Sequence, residues 1–328
     1  MYTLSIVEIS IKFLYNTRGD FMIDKIFVAD LIKSKFNITP TNIHIINNIG
    51  TMNSVYLLEF GSRKLIIRLR ENDVYAENEF MKEAWFSQQC AKLEIPAPRI
   101  MYIGKYDNVD YMIEEFIDGI TGDKYPDRSF VFQQLGIYSK KIKSIPVSGY
   151  GVTISNFDTN TFADELYTSP SEQIEKNIAA LITSDVLIDL NVYDSRYITS
   201  IKNSFLSLLS KDLKCALNHG DISLSNTIVT SNGTVYWIDF GSVNANILYN
   251  EFANLKVKSD YDIDCFAKGF GISAQELKGD LASYALLSSF DKLRWALTTK
   301  NQEYINWYTQ NAKQCFKSYI NTTFSQER

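Results

Sequence analysis

Apolar and polar positions predict one helix and then three strands near the start of the chain. Residues 24–35 carry apolar side chains at helical spacing. The strands follow at residues 43–49, 54–60 and 64–69. Gly61 and Ser62 separate the last two strands and are typical of a two-residue hairpin turn with glycine first. With that turn, Val55 lies directly opposite Arg68 in the hairpin.

A long helix that carries paired acidic residues comes next. The pattern predicts it over residues 75–93, and Pro96 and Pro98 follow it, because residues before proline disfavour helix. Glu79 and Glu83 are four residues apart, so they share one face of this helix. The sequence therefore predicts two carboxylates on the same side of the helix.

Two further strands and a break complete the N-terminal part. The strands are predicted at residues 102–103 and 111–116, and the segment "KYDN" between them is turn-like. The segment "IDG" at residues 117–119 breaks the pattern and marks a domain boundary. We therefore divide the chain into an N-terminal lobe at residues 1–117, of which 1–21 form a possible extension, and a C-terminal lobe at residues 118–328.

The C-terminal lobe is mainly helical from about residue 130 onwards. One β-rich stretch, residues 218–242, interrupts the helices. The helical pattern returns from Glu251, with Trp295 and Trp307 on apolar helix faces. The predicted fold class is α+β, with an antiparallel sheet lobe that carries one long helix, followed by a larger and mainly helical lobe.

The β-rich stretch contains a strong hairpin signal at Asn232 and Gly233, because both residues tolerate positive φ. A two-residue turn there pairs Ser231 with Thr234. β-Branched and aromatic residues on both sides of the turn favour strands. The sequence thus predicts a hairpin whose register can be counted outward from the turn.

Counted in this way, Asn226 lies directly opposite Asp239, with Cβ atoms about 5 Å apart. An amide oxygen beside a carboxylate suits Mg²⁺, which takes one or two protein carboxylates and completes its shell with water and phosphate oxygens. Asp221 precedes Asn226 by five residues and could accept a proton from an attacking hydroxyl. The alternative interpretation is that Asp221 and Asp239 are turn and cap residues of a structural hairpin.

Composition narrows the class of partner. The chain has 328 residues, 45% of them apolar and 22% charged, which is typical of a globular protein of about two domains. The net charge of −5 argues against nucleic acid, since nucleic-acid binders carry basic surfaces. The apolar run near the N-terminus contains Glu8 and Lys12, so neither a signal peptide nor a membrane span is predicted. The four scattered cysteines predict reduced thiols in a cytoplasmic protein.

The motif "HGDISLSN" followed by "WIDFG" resembles the signature of the aminoglycoside phosphotransferase and choline kinase-like family, small-molecule kinases with a two-lobed protein kinase-like fold. The resemblance covers four short elements between about Asn48 and Gly241, and the C-terminal third carries no matching motif. Gly220 replaces the arginine of the protein-kinase catalytic loop. Since no proline follows Pro170, the A-P-E element of protein kinases is absent, which favours a small-molecule acceptor.

The resemblance implies a role for each matching residue. Asp221 would be the catalytic base, Asn226 and Asp239 would hold Mg²⁺, and His219 would support the catalytic loop. Further residues of the N-terminal lobe would bind the nucleotide, either ATP or GTP. These residues are Gly50, Ser54, Val55, Arg68, Glu83, Glu115 and Ile117.

The nucleotide-binding residues fall into three groups. Gly50 begins the segment "GTMNS", which would cover the phosphates. Arg68 would reach the phosphates and pair with Glu83, with Glu79 as the alternative partner. Backbone groups of Glu115 and Ile117, in the segment "YMIEEFIDG", would contact the purine.

The function implied by the resemblance is transfer of the γ-phosphate of ATP or GTP to a hydroxyl of an antibiotic or related natural product, and hence antibiotic resistance. Acidic residues after the motif could face a cationic acceptor, or could simply begin a solvated helix. They are Glu251, Asp260, Asp262 and Asp264. Two alternatives stay open: a housekeeping kinase of choline, a sugar or an amino alcohol, and an inactive nucleotide-binding scaffold.

Overall fold

The computed structural model describes residues 23–46, 53–71, 76–255 and 260–324, so Gly50 and the predicted extension at residues 1–21 lie outside the described part. The chain divides into two compact units. The first comprises Met1–Gln88 and Ala97–Asp118, and the second comprises Gln89–Pro96 and Gly119–Arg328. Within the described ranges, no helix combines the length and apolar character that a bilayer crossing needs.

A five-stranded antiparallel sheet forms the centre of the first unit. Its strands are β1 (Asn42–Ile45), β2 (Ser54–Phe60), β3 (Arg63–Glu71), β4 (Ile100–Tyr106) and β5 (Val109–Glu115). Their spatial order is β1-β2-β3-β5-β4. Two helices belong to this part of the chain, α1 (Lys25–Phe36) and α2 (Ala76–Lys92), and α2 runs on into the residues of the second unit.

The β2–β3 hairpin has the register that the sequence predicts. Phe60 pairs with Arg63 across the Gly61-Ser62 turn, and Val55 lies opposite Arg68. The prediction holds because one glycine at the first turn position determines the pairing of every residue beyond it. Strand β1 is shorter than predicted and ends at Ile45, while the remaining predicted positions 47–49 lie outside the described residues.

Helix α1 begins and ends at residues suited to those positions. The Asp24 side chain accepts hydrogen bonds from the backbone N–H groups of Ile26 and Phe27, and so caps the N-terminus. Asn37 follows the last turn in the left-handed conformation, with φ of 54°. The buried side chains of α1 recur at helical spacing and pack into one core with β2, β3 and β5. They are Val28, Leu31 and Ile32.

The second unit contains three small sheets and eight helices among the described residues. The sheets are β12-β11-β6, β10-β13 and β7-β9-β8, built from β6 (Ile120–Thr121), β7 (Ser148–Gly149), β8 (Thr153–Asn156), β9 (Thr161–Ala163), β10 (Ala216–Asn218), β11 (Thr227–Val229), β12 (Val235–Trp237) and β13 (Asn244–Asn246). The helices are α3 (Arg128–Ile142), α4 (Pro170–Ala180), α5 (Val186–Asp189), α6 (Ile198–Leu209), α7 (Leu248–Ala253), α8 (Asp260–Phe270), α9 (Ala274–Thr299) and α10 (Gln302–Phe324).

The predicted α+β class is confirmed, since an antiparallel sheet dominates the first unit and helices dominate the second. A core of buried apolar side chains joins α4, α6, α9 and α10. The sheet β7-β9-β8 was not predicted, because its strands are only two to four residues long and give little periodic signal.

Candidate active site

The β11–β12 hairpin differs from its predicted register by one residue. Thr227 pairs with Trp237 and Val229 with Val235, so the turn holds three residues rather than two. The predicted pairs Ser231–Thr234 and Asn226–Asp239 are therefore wrong. Gly233 alone supplies the positive φ, at 82°. This geometry fits a three-residue loop that ends in a left-handed glycine.

Asn232 explains why the longer turn forms. Its side-chain oxygen accepts a hydrogen bond from the hydroxyl of Thr230 at 2.6 Å and from the backbone N–H of Thr234 at 3.1 Å. These bonds join both ends of the loop through one side chain. Asn-Gly therefore acts here through the asparagine side chain and one left-handed glycine, and not through two left-handed residues.

Asp221 and Asn226 nevertheless come together by a local route. Residues Leu224–Asn226 form a single 3₁₀ turn, and the Ser223 hydroxyl accepts a hydrogen bond from the backbone N–H of Asn226 at 3.3 Å. The turn directs the Asn226 amide nitrogen back to Asp221, where it donates to the backbone oxygen at 2.8 Å and to carboxylate Oδ2 at 3.0 Å. Both side chains are half-buried, so they are held firmly but stay accessible.

His219 links the Asp221 loop to the segment that carries Asp239. Its Nδ1 accepts the backbone N–H of Asp221 at 3.3 Å, and its Nε2 lies 3.3 Å from the backbone oxygen of Ile238. These partners assign the proton to Nε2. Burial lowers the pKa of His219, although Glu251, Asp221 and Asp239 act in the opposite direction. The imidazole is thus neutral and holds backbone, consistent with a supporting role.

Asp239 has an unusual backbone conformation directly after this contact. Its φ is 64°, in the left-handed region where aspartate and asparagine are among the few tolerated non-glycine residues. The preceding residue, Ile238, donates its backbone N–H to the backbone oxygen of Asn226 at 3.0 Å. Asp239 is exposed, and its carboxylate is near enough to His219 to oppose the lowering of the His219 pKa by burial. Asp221 and Asp239 thus both lie near the buried imidazole of His219, and Asn226 contacts Asp221.

Glu251 stabilises this loop through hydrogen bonds to its backbone, a role that the sequence did not predict. Its buried carboxylate accepts hydrogen bonds from the backbone N–H groups of His219 at 3.2 Å and Gly220 at 3.3 Å, and from the Ser139 hydroxyl at 3.1 Å. Gly220 has φ of 81°, and an added Cβ would lie 2.1 Å from the Ser242 backbone oxygen. Any other residue at Gly220 would displace the loop.

Two of the four acidic residues that could face an acceptor or begin a solvated helix are buried inside the fold instead. Glu251 is fully buried against the backbone of His219 and Gly220, and Asp262 is buried and paired with Arg128 at 2.9 Å. Asp264 is exposed on α8, and the side chain of Asp260 lies outside the described residues. Neither alternative, a wall that faces the acceptor or a solvated helix start, holds for Glu251 and Asp262, because burial commits their carboxylates to partners inside the fold.

Lys143 places a positive charge near the buried carboxylate of Glu251. Its ammonium group donates to the backbone oxygen of Leu217 at 2.8 Å and to the Asn218 side chain. Burial lowers the pKa of Lys143 to about 8, and the Glu251 carboxylate opposes that shift. Below that pH the ammonium is charged and offsets the buried carboxylate beneath the loop.

The Lys143 pKa predicts a pH-dependent stability. From about pH 8 to the ordinary lysine pKa of 10.5, the unfolded chain binds a proton that the folded chain does not, so the free energy of unfolding rises with pH. Relative to Lys143→Met, the wild type should gain on the order of 3 kcal/mol across this window, since one pKa unit equals about 1.4 kcal/mol. Denaturant unfolding at several pH values measures the difference, and a difference that is independent of pH would exclude a depressed lysine pKa.

The first unit brings together the predicted arginine and glutamate. Arg68 on β3 donates from Nη1 to Glu83 Oε2 on α2 at 2.6 Å, and both side chains are largely buried. A second pair lies beside it, because Arg70 donates to both carboxylate oxygens of Glu79 at 2.7 and 2.8 Å. Glu83 is thus the Arg68 partner, and the alternative residue Glu79 serves Arg70 instead.

The remaining residues that are predicted to bind the nucleotide lie at or near the ends of strands. Ser54 begins β2 opposite Leu69. Glu115 ends β5, where its backbone N–H donates to the Arg99 oxygen at 3.0 Å, so a purine contact there would use the Glu115 carbonyl. Ile117 follows and is buried. Contact between these residues and a nucleotide stays a prediction.

Helices α9 and α10 present an aromatic face, defined by Trp295, Tyr304, Trp307 and Tyr308. Trp295 lies 6.2 Å from Tyr304 and 6.1 Å from Tyr308 between ring centroids, and Trp307 lies 4.6 Å from Tyr308. Trp295 and Trp307 are 42% and 57% exposed, so within the described part of the chain this face is open to solvent. Burial raises the pKa of Tyr308, and the charges of Tyr304 and Asp221 raise it further. Tyr308 is therefore close enough to Asp221 for an electrostatic interaction.

The donor set near Asp221 fits a hard cation bound together with phosphate. No cluster of three or more His, Cys, Asp or Glu side chains suited to a metal occurs in the part of the chain that the structure describes. Asn226 and Asp239 offer an amide oxygen and a carboxylate, which matches the preference of Mg²⁺ for few protein ligands and several phosphate or water oxygens. A closed zinc or calcium site would need more protein donors.

The fold is of the protein kinase-like type. Solved structures of similar architecture include aminoglycoside 2′-phosphotransferase-IIIa in its GDP complex, with TM-score 0.70 and 14% identity over 92% of this chain and 99% of that chain. They also include APH(9)-Ia with ADP and spectinomycin, with TM-score 0.60 and 16% identity over 92% and 98%, and APH(4)-Ia, with TM-score 0.63 and 17% identity over 89% and 98%. Likeness at these identities shows the fold.

The family follows from the sequence itself. The sequence model of the phosphotransferase enzyme family matches residues 46–287, well over half of the chain. The chain therefore belongs to this family and is a phosphotransferase with an alcohol group as acceptor. No curated protein matches the sequence.

Proposed function

We propose that this phosphotransferase moves the γ-phosphoryl group of ATP or GTP, bound with Mg²⁺, to a hydroxyl of an antibiotic or related natural product in the cytoplasm. The observation that carries the proposal is the direct hydrogen bond from Asn226 to the Asp221 carboxylate, with the exposed Asp239 near the His219 imidazole. In a phosphotransferase, this combination supports a base next to two oxygen ligands for a metal.

In the proposed reaction, Asp221 orients the acceptor hydroxyl and accepts its proton. The hydroxyl oxygen forms a bond to the γ-phosphorus while the bond from that phosphorus to the bridging oxygen breaks, and a nucleoside diphosphate leaves. The Asn226 amide nitrogen is already committed to Asp221, so the amide oxygen is the atom that would face a metal. Bound Mg²⁺ would neutralise phosphate charge between Asn226 and Asp239.

We assign nucleotide binding to residues 1–117 and catalysis with acceptor binding to residues 118–328. Arg68 would add positive charge near the phosphates, since its guanidinium is held in place by Glu83. Complexes of the structural relatives with GDP, ADP and spectinomycin support a nucleotide donor and an antibiotic acceptor. ATP and GTP are equal candidates for the donor.

The aromatic face supports an acceptor that carries a ring or a cationic amine. Aromatic rings bind cations over their faces, with about 0.5–2 kcal/mol for each contact. Trp295→Ala should therefore raise the acceptor KM by about tenfold and leave the nucleotide KM unchanged, since 1.4 kcal/mol corresponds to a factor of ten. Leu206→Ala provides the control, because Leu206 is a similarly exposed apolar residue on α6. Equal effects of the two substitutions on the acceptor KM would show that the aromatic face is not part of the acceptor site.

A nucleotide-consumption screen tests the proposed function. Purified protein with Mg²⁺ and either ATP or GTP is combined with aminoglycosides, macrolides, peptide antibiotics, sugars and small amino alcohols such as choline. Consumption stimulated by an antibiotic is expected. Stimulation by choline, a sugar or an amino alcohol alone would instead support the housekeeping-kinase alternative. Nucleotide binding without consumption under any condition would support the inactive scaffold.

A further inference from the structure

Arg70 connects three separate parts of the first unit. Its side chain is only 5% exposed, on strand β3. Its Nε donates to the Asn53 side-chain oxygen at 2.9 Å, while its two terminal nitrogens donate to the two carboxylate oxygens of Glu79 on α2. One guanidinium therefore joins β3, α2 and the residue that directly precedes β2.

This arrangement is more rigid than an ordinary surface ion pair. A guanidinium that binds both oxygens of a carboxylate is fixed in orientation as well as in distance. The Arg70 guanidinium also lies 5.9 Å from the ring centroid of Phe80 on α2. With both terminal nitrogens engaged by Glu79, the direction of Nε towards Asn53 is determined by the position of α2.

The two arginines of β3 serve different partners. Arg68 and Arg70 are two residues apart, so they extend from the same face of the strand. Glu83 and Glu79 are one helical turn apart on α2, and they pair with Arg68 and Arg70 respectively, so α2 is read in the opposite chain direction to β3. Arg70 bonds in addition to Asn53, which lies in the segment "GTMNS" proposed to cover the phosphates.

We propose that Arg70 is a positioning residue for the nucleotide phosphates: through Asn53 it holds the described end of the phosphate-covering segment in a position set by Glu79 on α2. This inference rests on the proposed function, because it requires that the segment bind a nucleoside triphosphate. Arg70 acts through Asn53, whereas Arg68 is the residue proposed to reach the phosphates itself. The ligand class concerned is a nucleoside di- or triphosphate, recognised by its phosphates rather than by its base.

The test compares ligands with and without phosphates. Dissociation constants for ATP, GTP and adenosine are measured by calorimetry, with Mg²⁺ present, for the wild type, Arg70→Lys and Asn53→Ala. Both substitutions should weaken triphosphate binding by about tenfold, the effect of one lost charge-assisted hydrogen bond. Adenosine binding should not change. The double variant should be no weaker than the more affected single variant, because both changes break the same link.

Arg63→Lys is the matched control, since Arg63 lies on the same strand but is exposed. It should leave all affinities unchanged. Equal weakening of triphosphate and adenosine binding in Arg70→Lys and Asn53→Ala would show a purely structural role for Arg70, and unchanged triphosphate affinity in both would exclude the link. If Arg70→Lys does not fold, Asn53→Ala decides by the same comparison. A wild type that binds no nucleotide would overturn the proposed function together with this inference, whereas a wild type that transfers phosphate while both variants bind normally would overturn this inference alone.

Discussion

Asp221→Ala should lower the rate of phosphoryl transfer by about 10²–10⁴-fold, the usual contribution of a positioned general base. Asp221 is held by Asn226 and by the backbone contact with His219, so its carboxylate is oriented before any acceptor binds. Alanine removes both the proton acceptor and the group that orients the hydroxyl. Nucleotide affinity should change little, because the proposed phosphate contacts come from other residues.

Steady-state turnover and nucleotide binding, measured on the same preparation, check this expectation. Asp158→Ala is a suitable control, since Asp158 is an exposed aspartate between β8 and β9. Turnover of Asp221→Ala at the wild-type rate would mean that Asp221 is a turn residue of a structural loop. Loss of nucleotide binding together with turnover would indicate a collapsed loop rather than a missing base.

Asp239→Asn should weaken Mg²⁺-dependent binding of ADP or GDP by about 100-fold, at the upper end of the 10–100-fold found when only the partners of metal ligands are lost. Asparagine is the suitable replacement because the φ of Asp239 is 64°, a conformation that asparagine also tolerates. Alanine at this position would add backbone strain to the loss of charge. The substitution thus isolates the carboxylate.

Titration of the nucleotide at several Mg²⁺ concentrations measures the effect. The wild type should bind more tightly as Mg²⁺ increases, and Asp239→Asn should lose most of that dependence. Asp158→Asn serves as the charge-matched control on an exposed turn. Retention of the full Mg²⁺ dependence in Asp239→Asn would remove Asp239 from the metal site.

Local signals gave reliable predictions where the chain itself determines the geometry. The Gly61-Ser62 turn set the β2–β3 register residue by residue, and the helical spacing of Glu79 and Glu83 placed both carboxylates towards β3. The predicted length of the Asn232-Gly233 turn was wrong because this dipeptide suits two loop lengths. The hydrogen bonds of the Asn232 side chain select the longer one. The aspartate–asparagine contact formed despite this, through the 3₁₀ turn before the strand.

Features that depend on distant partners could not be predicted. Glu251 reaches His219 across 32 residues and Ser139 across 112, and nothing in the sequence near Glu251 indicates either contact. The partial burial of Lys143 directly after α3 is equally hard to predict, because lysine is usually exposed. Apolar spacing around Trp295 suggested a packed face, yet whether another element covers such a face is decided by tertiary structure alone.

We propose that Asp221 activates an acceptor hydroxyl for attack on a nucleotide γ-phosphate. The most direct test of this proposal follows labelled γ-phosphate from ATP or GTP into an acceptor, with wild type and Asp221→Ala side by side. We expect a labelled acceptor with the wild type only in the presence of Mg²⁺, and almost none with Asp221→Ala. Equal labelling by both proteins would contradict the role of Asp221. A wild type that binds nucleotide but labels no acceptor of the whole panel would contradict the proposed reaction.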